Sequence, residues 1–140
     1  MDEQTREVFI EVTGQDINTC NAALNIIVCA FADIGGEIYE VSVEYKKNKL
    51  RTPDLRKKQM RVDLKKVNEI LGIVLKESEI GKLLGKMGYK YKKGVVEIPP
   101  YRADILSFVD IVEDIAIAYG YNNFKPTIPN FFNPGETVKK

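Results

Sequence analysis

Glycines divide the second half of the sequence into short elements, because a glycine that follows a helical pattern usually ends the helix. One apolar helical pattern begins at Asp63, a good N-cap residue, and ends at Gly72. A second pattern begins at Glu77 or Ser78 and ends at Gly88. Two short helices with a tight connection predict a helix-turn-helix hairpin.

The segment after this helix pair predicts a wing and a third helix. Residues 89–98 have a β-hairpin pattern that turns at Lys93-Gly94. Pro99-Pro100 stops the second strand, because proline lacks the amide hydrogen that a β-ladder or a helix interior needs. Residues 105–119 then predict a helix that ends at Gly120.

A different pattern occupies residues 1–45. Residues 8–12 form a short β-rich run, Asp16 caps an amphipathic helix that stops at Gly35-Gly36, and residues 37–45 alternate as a strand does. A strand–helix–strand unit of this size cannot bury both faces of a sheet. We therefore interpret it as part of a larger domain.

Together these patterns predict an α+β fold in two modules, a partial αβ unit followed by a winged-helix-like unit. Residues 46–58 contain Pro53 and no apolar periodicity, so they are predicted to form a linker or an exposed loop. The predicted boundaries are 1–45 for the first module, 46–59 for the basic linker, 60–125 for the second module and 126–140 for an irregular tail.

The charges are segregated, although the net charge is only +1. Residues 1–45 contain nine acids and one base, whereas residues 46–66 contain ten bases and two acids. A basic run of this kind is either a solvated linker or a contact for nucleic-acid phosphates. The sequence leaves both interpretations open.

The cysteines and the apolar stretches indicate a cytoplasmic protein without a membrane segment. Cys20 and Cys29 lie on one predicted helix with their Cα atoms about 13 Å apart, which exceeds the roughly 7 Å that a disulfide allows. Free thiols suit a reducing compartment, and a chain with no histidine is a poor zinc binder. The apolar stretch 22–32 is too short to span a bilayer.

Acidic residues stand out on the third predicted helix. Asp110, Glu113 and Asp114 share one helix face, and Asp104 lies just ahead of the first turn. All-oxygen ligation of this kind suits Mg²⁺, with further ligands supplied by water or another chain. The alternative is a solvated acidic stripe in which Asp104 caps the helix and Arg102 is its ion-pair partner.

This region resembles the B5 domain of phenylalanine–tRNA synthetase β subunits of the archaeal/eukaryotic type. The resemblance rests on Pro-Tyr-Arg-Ala-Asp at 100–104, Asp-Ile-Val-Glu-Asp-Ile-Ala at 110–116 and Tyr-Gly-Tyr-Asn-Asn at 119–123, and it extends over 60–125. It implies a Mg²⁺ ion shared with the synthetase α subunit and assigned to four acids. These are Asp104, Asp110, Glu113 and Asp114, the last of which is usually glutamate in bacterial members.

The first module resembles the end of the B3/B4 domain of the same family, which hydrolyses misacylated tRNA. Residues 9–16 are similar to the strand-to-helix segment that borders the editing pocket, and Glu11 matches a family acid there. The resemblance implies that Glu11 lies at the pocket edge. The alternative is that Glu11 is an exposed strand residue.

The resemblance implies a role within phenylalanine–tRNA ligase, which attaches phenylalanine to its tRNA with ATP. Its expected partners are the α subunit, in an α₂β₂ heterotetramer, and tRNA, while ATP is expected only in the whole enzyme. This fragment is expected to support subunit assembly and the shared Mg²⁺ site and to be inactive alone.

A stand-alone winged-helix DNA-binding regulator is the alternative function, and it would use basic residues. Weak, non-specific contact with nucleic-acid phosphates is the most that these lysines predict, because no Arg or Asn cluster marks a base-reading surface. The candidate contact residues are Lys65, Lys66, Lys82, Lys86, Lys92 and Lys93.

Overall fold

The computed structural model describes residues 2–46 and 48–128. Its helices and strands confirm the predicted α+β fold. The helices are α1 (Ile17–Asp33), α2 (Leu64–Leu71), α3 (Glu77–Lys86) and α4 (Phe108–Tyr119). The strands are β1 (Val41–Glu44), β2 (Lys49–Thr52), β3 (Lys58–Arg61), β4 (Lys90–Lys92) and β5 (Val95–Ile98).

Helix α1 begins at the predicted cap. The Asp16 carboxylate accepts hydrogen bonds from the amide and the hydroxyl of Thr19, both at 2.7 Å. The helix ends just before Gly35, which has a φ of 95°. Asn25 and Val28 are the residues of α1 that are buried, so much of its apolar face is exposed.

The predicted strand over 8–12 is wrong, because these residues have no regular structure. A strand needs a neighbour for its amides and carbonyls. The two sheets of the described residues, β1-β2 and β3-β5-β4, offer this segment no pairing partner. Phe9 is accordingly 75% exposed.

The prediction that residues 46–58 are irregular is also wrong, because they contain β2 and the first residue of β3. Strand β2 pairs antiparallel with β1 and places Leu50 opposite Val43, both half-buried. The strand predicted over 37–45 is therefore present, but only over the four residues of β1. Alternation of Leu50 and Thr52 with charged neighbours was the signal for β2.

The second module is built around a three-stranded antiparallel sheet with β5 at its centre. Helices α2 and α3 form the predicted pair, and α4 packs against both of them. Burial of each large core side chain stabilises the fold by about 1.5–3 kcal/mol. The most deeply buried side chains are Val67, Ile80, Leu84, Val96, Ile98, Ile111, Val112 and Ile115.

Local chemistry sets the turns of this module. Lys93 and Gly94 have φ values of 48° and 76°, which two-residue hairpin turns of type I′ require, and the predicted hairpin is confirmed. Gly72 ends α2 in the left-handed conformation, as predicted. The helix predicted over 105–119 starts three residues late, because Ser107 is its N-cap.

Among residues 2–46 and 48–128, we find no helix with both the length and the apolar character needed to cross a membrane. Cys20 and Cys29 are both free thiols, as predicted. Residues 126–128 have no regular structure, and the rest of the predicted tail, 129–140, lies outside the described residues.

Candidate functional site

The first turn of α4 uses one of the predicted acids as a cap. Asp110 Oδ2 accepts hydrogen bonds from the amides of Ser107 at 2.6 Å and Leu106 at 2.9 Å. Together with the Ser107 hydroxyl, this carboxylate forms a capping box. The hydrogen bonds from these two amides lower the pKa of Asp110 below its usual value, and the one from Ser107 has the larger effect. Asp110 is thus an ionised carboxylate that already accepts hydrogen bonds from two backbone amides.

Two other predicted acids converge on Arg102. Its Nε lies 2.8 Å from Asp104 Oδ1, and its Nη2 lies 2.6 Å from Asp104 Oδ2 and 2.8 Å from Asp114 Oδ2. The side chains of Arg102 and Asp114 are only 18% and 8% exposed. Hydrogen bonds from Arg102 lower the pKa of Asp104, and those to Asp104 and Asp114 raise the pKa of Arg102. Both shifts favour the charged forms of Arg102 and Asp104.

Tyr89 completes this network from the other side. It is 4% exposed, and its hydroxyl donates to Asp114 Oδ2. The Arg102 guanidinium lies over the ring, 5.2 Å from its centroid. Burial raises the pKa of Tyr89 above its usual value, and the hydrogen bond to Asp114 raises it further. The phenol consequently stays protonated and serves as a donor.

The four acids predicted to hold Mg²⁺ do not form a ligand set within this chain. Asp104 and Asp114 share Arg102, Asp110 caps α4, and Glu113 is exposed at the surface. Within the described ranges, no three Asp, Glu or Cys side chains are close enough together to hold an ion. A complete site would need ligands from another chain, and the predicted ion stays a prediction.

The structure combines parts of both interpretations of the acidic face. Arg102 is the ion-pair partner of Asp104, as the alternative interpretation expects, but Ser107 and Asp110 cap the helix instead of Asp104. The face is not a solvated stripe throughout, because Asp114 is 6% exposed. A buried carboxylate with two donors indicates a fixed structural network around the start of α4.

Residues 60–121 match the family profile described as the tRNA synthetase B5 domain. This part of the chain is similar to the B5 domain of tRNA synthetases. The match falls on the module that contains the β3-β5-β4 sheet and helices α2 to α4, which is called the B5 domain below. The resemblance predicted from the sequence is confirmed.

The similarity extends beyond the B5 domain. The chain is 43% identical over 139 residues to the phenylalanine–tRNA ligase β subunit of Archaeoglobus fulgidus, covering 96% of this chain and 25% of that protein. It is 39% identical over 138 residues to the β subunit of Thermococcus sibiricus, again covering 96% and 25%. The chain thus spans about a quarter of the length of these relatives.

A solved structure is also similar. The crystal structure of an N-terminal fragment of the phenylalanyl-tRNA synthetase β subunit from Pyrococcus horikoshii matches with a TM-score of 0.71 and 39% identity. The match covers 76% of this chain and 32% of that fragment. Because the sequence matches include the first module, a stand-alone winged-helix regulator is not favoured.

The six lysines predicted to contact nucleic acid are all exposed on the B5 domain, and two of them line one groove. Lys66 and Lys93 line a groove together with Arg61, next to the half-buried ring of Phe108. None of these three cations takes part in the ion pairs found among the described residues. Lys65, Lys82, Lys86 and Lys92 lie outside this groove.

Glu11, the acid predicted at an editing-pocket edge, is exposed in a segment without regular structure. It makes none of the side-chain hydrogen bonds found among the described residues. The position of an editing pocket relative to Glu11 stays a prediction. The alternative, an exposed strand residue, is correct about the exposure and wrong about the strand.

Sequence reasoning missed Asn25 and the role of Tyr89. The Asn25 amide Nδ2 donates to the carbonyl of Asp54 at 2.8 Å and to that of Pro100 at 3.3 Å. Asn25 therefore joins α1 to the loop after β2 and to the B5 domain. An asparagine within an apolar helical run was the available signal, because a polar residue there needs a partner. For Tyr89, no pattern within the sequence pairs it with Asp114.

Proposed function

We propose that this chain is a segment of a phenylalanine–tRNA ligase β subunit that works in subunit assembly and not in the aminoacylation step. The observation that carries the proposal is the similarity of about 40% identity to ligase β subunits over nearly the whole chain. The B5 domain supports it, since the profile belongs to tRNA synthetases. In the whole protein, the activity would be ATP-dependent attachment of phenylalanine to tRNA in the cytoplasm.

We assign the exposed surface around Glu113, in the first half of α4, to contact with the α subunit. Glu113 and Val109 are exposed there, and Val109 has 57% of its surface accessible. An apolar side chain next to a carboxylate suits a partner surface with a basic or cation-bearing rim. Mg²⁺ shared between the subunits, in the α₂β₂ assembly of the family, would need Asp104, Asp110, Glu113 and Asp114 to be completed by groups of the partner. In that assembly, Arg102 would have to release Asp104 and Asp114, which it binds in this chain.

Capture of an archaeal phenylalanine–tRNA ligase α subunit by the tagged chain tests this proposal. We expect co-elution, weakened by an Asp110→Asn/Glu113→Gln variant because it removes two negative charges from the proposed interface. An Asp33→Asn/Glu69→Gln variant removes the same charge from exposed positions elsewhere and should bind normally. Comparison of Mg²⁺ with EDTA then tests the shared ion separately. Absence of capture under every condition would refute the assembly role.

The groove lined by Arg61, Lys66 and Lys93 favours a second, weaker activity, contact with the phosphate backbone of nucleic acid. A Lys66→Glu/Lys93→Glu variant should reduce binding of tRNA and of duplex DNA and lower its salt dependence. Lys82→Glu/Lys86→Glu, with the same charge change on α3, is the matched control. Equal loss in both variants would show that only overall charge matters. We expect at most weak and non-specific binding.

A further inference from the structure

We propose that Arg102 is the built-in counter-ion of the B5 acidic cluster and thereby keeps Mg²⁺ away from Asp104 and Asp114 in this chain. The inference concerns the chain alone and does not depend on its proposed partner. It follows from the disagreement between the predicted ion site and the observed contacts of its acids.

The first argument is the use of the carboxylate oxygens. Both oxygens of Asp104 accept from Arg102, at 2.8 Å from Nε and 2.6 Å from Nη2. Asp114 Oδ2 accepts from Arg102 and also from the Tyr89 hydroxyl. A fork of two parallel N–H···O bonds is the strongest arrangement that arginine makes with a carboxylate. An ion at Asp104, or at Oδ2 of Asp114, would have to displace these donors or share their oxygens with them.

The second argument is charge. A guanidinium stays protonated in proteins, so Arg102 neutralises one of the two carboxylates permanently. Mg²⁺ gives up its water reluctantly and needs near-octahedral oxygen ligation. An ion at these two acids would meet one net negative charge instead of two, and it would lie close to a fixed positive charge.

The third argument is that Arg102 is fixed in place. Its side chain is 18% exposed and lies over the ring of Tyr89. Its backbone amide donates to the carbonyl of Pro99 at 3.1 Å, which holds the turn that carries it. The side chain therefore cannot leave the cluster without losing the aromatic contact and both ion pairs.

Nuclear magnetic resonance of the chain with Mg²⁺ as the probe tests the proposal. For the unmodified chain, we expect no saturable shift of the Asp104 and Asp114 amides at millimolar Mg²⁺, and an unchanged Arg102 Nε–Hε resonance. A saturable shift of these amides together with loss of the Arg102 resonance would overturn the proposal. This measurement needs no variant, so it decides the question even if variants fail to fold.

Substitution adds a gain-of-binding test. Arg102→Met removes the charge and keeps the length of the side chain, and we expect Mg²⁺ affinity at the cluster to rise at least about tenfold. The rise should disappear in Arg102→Met/Asp104→Asn. Arg51→Met removes an exposed arginine outside both the acidic cluster and the basic groove, and it should behave like the unmodified chain. A folded Arg102→Met chain that gains no affinity would contradict the counter-ion role.

Discussion

Replacement of Asn25 by alanine should loosen α1 without unfolding the B5 domain. The amide of Asn25 reaches carbonyls that lie 29 and 75 positions away in the sequence, at Asp54 and Pro100. Each hydrogen bond contributes a net 0.5–1.5 kcal/mol, roughly, so the pair contributes about 1–3 kcal/mol. The Oδ1 atom is buried without a hydrogen-bond partner among the described residues. Replacement by alanine also removes the cost of burying this unpaired oxygen. We therefore expect the variant to weaken the docking of α1 by about 1–2 kcal/mol.

Native-state hydrogen exchange is the suitable assay, because it reports local opening free energies residue by residue. A loss of about 1–2 kcal/mol corresponds to a roughly 5–30-fold faster exchange of the α1 amides. The amides of α4 should keep their rates. Asn18→Ala changes an exposed asparagine of the same helix and is the matched control. The reasoning is refuted if α1 exchanges at its original rate, or if α1 and α4 accelerate equally.

Three further predictions concern stability. Ile115→Ala should lower the free energy of unfolding of the B5 domain by about 2–5 kcal/mol, because Ile115 is fully buried. Denaturant titration would measure this loss, and a value below about 1 kcal/mol would contradict the prediction. Gly72→Ala should cost about 1–2 kcal/mol in the same assay, because residue 72 has a φ of 66°. A hydrogen bond from Arg56 lowers the pKa of Asp54 from 3.8 to about 2. The unfolded chain therefore binds more protons at Asp54, and stability should fall as the pH falls from about 4 towards 2. A carboxyl titration by magnetic resonance should show a pKa near 2 that rises in Arg56→Met; no change in that variant would refute the assignment.

Features that depend on neighbouring residues were predictable from the sequence. Asp16 and Asp63 cap their helices as predicted, because a cap needs only the amides of the next turn. The Lys93-Gly94 turn was predictable for the same reason, since type I′ geometry depends on the two turn residues.

Features that depend on distant partners were not predictable. Residues 8–12 have the composition of a strand but lack a partner, whereas Leu50 lies in a real strand because β1 pairs with it. In the candidate site, the acids could be identified from their spacing, and Arg102 from its place beside Asp104. The hydrogen bond of Tyr89 to Asp114, 25 positions away, could not.

The short connection between β2 and β3 limits how far the two modules can separate. Only residues 53–57 lie between these strands, and a chain of that length spans at most about 20 Å when fully extended. If the Asn25 contacts break, the β1-β2 hairpin therefore stays tethered within a short distance of the B5 domain. Tethering by a short linker gives an effective concentration in the millimolar range. Redocking is then an intramolecular event, and it is favoured over separation when the contacts have a dissociation constant below the millimolar range.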